Sequence, residues 1–307
     1  MRTYLLRWNP AISSVKHDGW RCIIRYTAWY EETNWSIYEW QQAERGDRFY
    51  MLLVGAGITG VVASGWFTSN PYEDEDWAGT GHKRYYVDLI FDTILDPENA
   101  TILSTQQLQS SMPHLTWNTG HSGVLLSEAD ADTLLGLWSQ FLEDHSSQFY
   151  PDNDYTFRSL RKQAHGIALN AHNHQLDKGG EDYFKSHIQP VVNMAEYIED
   201  KDGNVITEIV AYLHDTVEDT SWTFDLLFKY GFTQEMLTAL DCVTRREGES
   251  YDQFIDRILP NPIARAVKIA DLRSNMDITR LPQLTDEDLQ RLSKYHKAYR
   301  RLMEAGG

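Results

Sequence analysis

The hydrophobic pattern of this 307-residue chain changes its period near the middle, and the change limits which residues can share a core. Before about residue 142, short apolar runs rich in Val, Ile, Tyr and Trp alternate with Gly, Asn, Asp and Pro. That is strand-and-turn patterning. Tyr4–Arg7, Arg21–Tyr26, Arg48–Val54, Gly60–Phe67 and Arg84–Phe91 read as strands, and Ser127 reads as the N-cap of a helix over Ala129–Leu142. From about Phe157 the apolar residues recur at helical spacing, first as Ile206, Ile209, Val210, Leu213 and Val217, then as Ile263, Ala266, Val267 and Ala270. Pro262 fits the first turn of a helix, and Thr285 with Asp288 fits the cap of a last helix that stops at Gly306–Gly307. The polar stretch Glu143–Asp154 is the best linker. The expected architecture is α+β and multidomain: a β-rich barrel over residues 1–145, followed by an all-α domain over residues 155–307.

Charge and cysteine usage exclude several classes. The net charge is −17 and no Lys/Arg cluster is present, which argues against a long duplex nucleic acid as partner. A pocket for one base or a small nucleotide needs no such cluster. Cys22 and Cys242 are far apart, which fits a reducing compartment and excludes a Cys-rich zinc site. The opening MRTYLLRWNPAISS lacks the apolar run of a secretory signal, and Val54–Trp66 falls short of the roughly 20 apolar residues that span a bilayer. A cytoplasmic protein with no membrane partner is expected.

The densest chemistry lies in the second half. His214–Asp215 ends an apolar-periodic helix (EIVAYLHDTVEDT), His187 opens an earlier one, and Asp271 sits on a later one (ARAVKIADLRSN). Two imidazoles and two carboxylates suit Mn²⁺, Fe²⁺ or Zn²⁺ better than Mg²⁺ or Ca²⁺. Adjacent His and Asp can hold one ion only where the helix end lets their side chains converge. Glu218 and Asp219 follow by about one turn, where a carboxylate can orient water or accept its proton. Asn275 shares a helix face with Asp271.

The run AHNHQLDKGGEDYFKSH, then AYLHDTVEDTSWT, VTRREGESY and AVKIADLRSNMD, over about residues 160 to 282, resembles the HD hydrolase domain of the RelA/SpoT family and the small alarmone hydrolases. The resemblance implies an all-α metal-dependent phosphohydrolase that cleaves (p)ppGpp-like nucleotides. It further implies one Mn²⁺ held by His187, His214, Asp215 and Asp271, with Glu218 and Asp219 positioning water, and Lys178, Tyr183 and Asn275 beside the substrate. Two departures stand out. Asp177 occupies the place of an arginine that helps hold guanine, and Tyr183 sits one position further from His187 than in that family.

The first half carries no catalytic set. YLLRWNP, RGDRFYMLLVG, GVVASGWFTSNPY, YYVDLIFD and WNTGHSGVLLS are similar to segments of PUA-like domains of the EVE and YTH type, which implies a pocket for a modified base or short nucleic acid. Trp8, Asn9, Trp35 and Trp77 are the candidate walls, and a barrel without a ligand is the alternative. Gly55, Gly57 and Gly60 spell a dinucleotide fingerprint, but VVASGWF after them reads as a strand, so a glycine turn is expected. His165, His172 and His174 read as packing and surface groups, and Asp286, Glu287 and Asp288 as helix-start acids. Two other functions compete with the phosphohydrolase: a phosphodiesterase or nuclease on single-stranded or modified nucleic acid, and a nucleotide sensor without turnover.

Overall fold

The computed structural model describes residues 1–27, 32–76, 79–146, 153–195 and 204–305. The chain divides into two compact units, Met1–Gly166 and Ile167–Gly307. The first is built on a sheet and the second is helical, so the chain is α+β. Of the polar stretch 143–154, residues 147–152 lie outside the described residues.

The sheet of the first unit runs β2-β6-β4-β3-β1-β8, with β5 paired to β6 and β7 to β4. Its strands are β1 Thr3–Trp8, β2 Thr33–Ser36, β3 Arg48–Leu53, β4 Gly60–Phe67, β5 Tyr72–Glu75, β6 Lys83–Ile94, β7 Leu103–Ser104 and β8 Val124–Leu125. β1 and β3 pair in parallel, Thr3 against Arg48, so the chain between them must cross over. That crossover contains α1, His17–Thr27, which corrects the expected strand Arg21–Tyr26. Two adjacent isoleucines imitate a strand, but Trp20, Ile23 and Ile24 share one helical face, with Trp20 fully buried. Gly55 and Gly57, both at positive φ, turn the chain from β3 into antiparallel β4, and no helix follows them. The sheet curls until its edges meet: Tyr38 N donates to Ser122 O and Glu39 N to Gly123 O. Gly123, at φ 82°, makes this approach possible, because a Cβ there would lie 2.4 Å from Ile37 Cγ1.

α2, Thr105–Ser111, and α3, Glu128–Asp144, complete this layer; Ser127 caps α3 by accepting from Asp130 N. Inside, Asp92 accepts from Ser64 Oγ (2.6 Å), Trp66 Nε1 (2.9 Å) and the Arg48 guanidinium, which lies over the Trp66 ring. A buried charge pair is tolerable when its remaining valences are filled in this way.

α4, Asn153–Ala171, carries the chain from the first unit into the second. There, a π-helical turn Phe184–Ile188 runs into α5, Gln189–Ala195. α6 Asn204–Leu213, α7 Thr216–Asp219, α8 Phe224–Lys229, α9 Gln234–Val243, α10 Tyr251–Ile258, α11 Pro262–Asn275 and α12 Asp286–Glu304 follow. α11 starts with Asn261 as cap and Pro262 at its first turn, and packs Ile263, Ala266, Val267 and Ala270 inward against α5, α6 and α9. α12 starts with a capping box between Thr285 and Asp288. No helix among the described residues is long and apolar enough to cross a membrane.

Asp47 ties β1 to β3 by accepting from Arg2 N and Glu44 N, each at 3.0 Å. Burial outweighs those bonds and pushes its carboxyl up to about 6 from an unfolded value of 3.8. A raised folded pKa stabilises at low pH: the contribution is complete below about pH 4 and is lost as pH rises through about 6. Asp47→Asn is expected to flatten this slope, which is worth about 2 to 3 kcal/mol for a shift of this size. Urea unfolding followed by tryptophan fluorescence between pH 3.5 and 7.5 checks it, since every tryptophan except Trp222 lies before residue 167.

Candidate metal centre and adjoining cavity

α6 stops at Leu213, and His214–Asp215 form the turn before α7, with Asp215 at φ −100°, ψ −6°. The break lets two adjacent side chains aim at one point, which a continuous helix would prevent. His214 Nδ1 donates to Ala211 O (2.8 Å), filling a carbonyl the helix end leaves open. His187 sits in the π turn, where Gln189 N bonds to Phe184 O, and its Nδ1 shares a hydrogen bond with Ser274 Oγ (3.0 Å). The two Nε2 atoms face each other 3.3 Å apart.

Asp215 Oδ2 lies 3.1 Å from His214 Nε2 and 3.4 Å from His187 Nε2. Donor atoms of His187, His214 and Asp215 all fall within 4.8 Å of one another. Asp271 adds a fourth: its Oδ1 is 3.3 Å from His187 Nε2 and 3.8 Å from His214 Nε2. Three of the four residues are buried and Asp215 is half-buried. Burial alone would raise the Asp215 carboxyl, but the imidazoles of His214 and His187 hold it well below the usual range. Burial alone would lower His187, but Asp215 and Asp271 push it up to about 9. Each group is thus strongly biased toward an opposite charge. Two facing ring nitrogens and two carboxylates fit a divalent cation between them, an N/O donor set of the kind transition metals take.

The structure gathers donor atoms of His187, His214 and Asp215, with Asp271 against both imidazoles. It uses several neighbouring candidates differently from the sequence reading. Tyr183 donates its hydroxyl to Asp215 Oδ2 (2.7 Å), so that group holds a carboxylate of the cluster, and its ring lines the adjoining cavity. Asn275 Nδ2 donates to Asp271 Oδ1, again orienting the cluster. Glu218 accepts from Arg245 N (2.8 Å), which engages it in the loop after α9. Asp219 keeps a carboxylate near the cluster; burial, then Asp215 and Glu218, raise its pKa. Gln175 bonds to Asp219 and also accepts from the buried His172 Nδ1 (2.7 Å).

Beside the cluster lies a cavity of about 230 Å³. Lys178, Tyr183, His187 and Asn275 line it, as do Arg291 and Tyr295 from α12. Sequence reasoning missed the last two, because nothing in a polar amphipathic helix marks which turn faces a site. It also missed Ser274 and Lys268, although their spacing of three from Asp271 was a usable signal. Asp177 turns its side chain into its own loop, where Oδ1 accepts from Gly179 N and Glu181 N.

In the first unit a separate cavity of about 590 Å³ is lined by Arg7, Asn9, Asn34, Trp35, Tyr86 and Asn118, among others. Of the expected wall residues, Asn9 and Trp35 line this cavity. Trp8 does not: it is fully buried, stacked on Trp20 at 4.2 Å with Nε1 donating to Val15 O, because a strand flanked by α1 turns it into the core. Trp77 lies outside the described residues.

Over 137 residues the chain is 30% identical to a probable GTP pyrophosphokinase of Mycobacterium leprae, covering 42% of this chain and 16% of that protein. The chain thus matches about a sixth of the relative's length. No family model matches the chain.

Ser274→Ala removes the partner that orients His187. Metal affinity is expected to fall about 10- to 100-fold, as for other groups that fix a ligating imidazole. Titration calorimetry with Mn²⁺ checks this; unchanged affinity would show that Ser274 does not orient the ring.

Proposed function

We propose that the second unit is a metal-dependent nucleotide phosphohydrolase acting on a nucleoside polyphosphate of the (p)ppGpp type. The carrying observation is the inward-facing cluster of His187, His214, Asp215 and Asp271, set beside a cavity lined by Lys178 and Arg291. A divalent ion held by those four residues, Mn²⁺ by the family resemblance, would polarise a phosphoryl oxygen and make water more acidic. The chain's own groups do the rest. Lys178 and Arg291 neutralise phosphate charge. Tyr183 and Asn275 keep Asp215 and Asp271 in place. Asp219 accepts the proton of the attacking water, for which its raised pKa suits it better than Glu218, whose carboxylate serves Arg245 N.

The similarity to a probable GTP pyrophosphokinase supports a nucleotide polyphosphate as substrate. Hydrolysis is favoured over transfer because the acids beside the cluster suit activation of water. Asp177 lines the cavity with its Oδ1 engaged by Gly179 N and Glu181 N, and an acid there cannot act as the family's arginine does, so the choice of base rests on the cavity groups together.

The test is a hydrolysis panel with purified protein and Mn²⁺, containing ppGpp, pppGpp, nucleoside triphosphates, NADPH and a short single-stranded oligonucleotide. Release of pyrophosphate or phosphate from a nucleotide is expected, reduced to background by Asp215→Ala. Asp219→Asn should lower kcat by about 10²- to 10⁴-fold, the usual weight of a general base, and Glu218→Gln by much less. Metal-dependent cleavage of the oligonucleotide alone would instead assign a nuclease, and binding without any product a sensor.

A second reading concerns the first unit. Asn9 and Trp35 in the wall of the 590 Å³ cavity favour a pocket for a single modified base, held by stacking and selected by polar neighbours. Nucleosides bearing base modifications are expected to quench tryptophan fluorescence saturably, and Trp35→Ala to weaken binding at least about tenfold, the weight of one stacked base. No saturable quenching by any nucleoside or short oligonucleotide would remove this role.

A further inference from the structure

Lys268 stands one turn before Asp271 on α11, with its Nζ 2.7 Å from Asp271 Oδ2. The ammonium lies 5.0 Å above the ring of Phe254, and its side chain is 16% exposed. The two oxygens of Asp271 are therefore divided. Oδ1 faces the imidazoles and takes the Asn275 amide, and Oδ2 faces an ammonium. Among the described residues no ammonium is paired with Asp215; beside the imidazoles, its contact is the neutral hydroxyl of Tyr183.

A carboxylate oxygen against an ammonium is poorly placed to bind a cation as well, because the two positive charges repel across one atom. Two neutral imidazoles and two carboxylates balance a divalent ion; the nearby ammonium leaves the loaded centre one charge more positive. We propose that Lys268 is a positioning residue that confines Asp271 to ligation through Oδ1 alone and makes the centre bind metal less tightly than its four donors otherwise would. This rests on the metal-dependent reading above. The surplus positive charge has a use, since a polyphosphate brings several negative charges to the same place. Looser metal binding is then the counterpart of stronger phosphate attraction.

The sign of the effect separates this role from a structural one. If Lys268 only braced the fold, removing it would weaken metal binding. If it acts as proposed, Lys268→Met should bind metal about tenfold tighter or more, because a repelling charge has gone and Asp271 can offer both oxygens. Co²⁺ serves as probe, with affinity from chelator competition and coordination number from the visible spectrum, whose intensity falls as ligands are added. Lys268→Gln keeps an N–H donor for Oδ2 but not the charge, so it should bind more tightly with the wild-type spectrum; it also stands in should Lys268→Met fail to fold. Weaker binding in Lys268→Gln, or tighter binding in Lys268→Met with an unchanged spectrum, overturns the proposal. Wild-type protein that takes up neither Co²⁺ nor Mn²⁺ overturns the metal reading itself, whatever the variants do.

Discussion

Two imidazole Nε2 atoms lie 3.3 Å apart in the second unit, with carboxylate oxygens on both. Such an arrangement is held against electrostatic repulsion unless positive charge enters it, as a proton or a cation. The rest of the unit can be understood as what keeps those nitrogens facing each other. Ala211 O and Ser274 Oγ fix the two rings from behind. Tyr183 and Asn275 fix the two carboxylates. The apolar faces of α5, α6, α9 and α11 then fix the elements from which these groups project. A buried polar network is stable only when each member is satisfied; here Ala211 and Asn275 satisfy their partners from the same stretch of chain, and Ser274 and Tyr183 from distant ones.

The backbone makes room for this geometry in two irregular places. α6 ends one residue before His214, so that neighbouring side chains converge. The helix bearing His187 contains a π turn, which takes one more residue per turn than an α-helix. With this turn in place, Tyr183 reaches Asp215 and His187 reaches the cluster.

How much could be read beforehand follows from the range of the interactions involved. Periodicity and caps are local, so the helices begun by Ser127, Pro262 and Thr285 were legible, as was the glycine turn between β3 and β4. The four-residue cluster was legible because His, Asp and their neighbours keep recognisable spacing. α1 was misread because β-branched residues favour strands on average, whereas here a parallel β1–β3 pair demands a crossover that only the tertiary fold reveals. Trp8 was misplaced for a similar reason, since a tryptophan's exposure depends on what covers it. Glu218 and Tyr183 were read from spacing, but their hydrogen-bond partners, Arg245 and Asp215, depend on loop paths that spacing does not encode.

The cavity beside the cluster draws its walls from three separate stretches: the loop with Lys178, the end of α11 through Leu281, and the α12 face with Arg291 and Tyr295. Two of these, the Lys178 loop and the α12 face, carry none of the four cluster residues, so the cluster and most of the cavity wall are built by different parts of the chain. The cations there are also partly compensated: Asp288 lies 2.7 Å from Arg291 and 3.6 Å from Lys178. In a chain of net charge −17, that carboxylate keeps the pair from being a general anion trap. A single phosphate would have to compete with Asp288 for both cations. On the proposed phosphohydrolase reading, a polyphosphate with one group at the cluster and others along the cavity would bring enough charge to do so, and discrimination by phosphate number would rest on Lys178, Arg291 and Asp288 together.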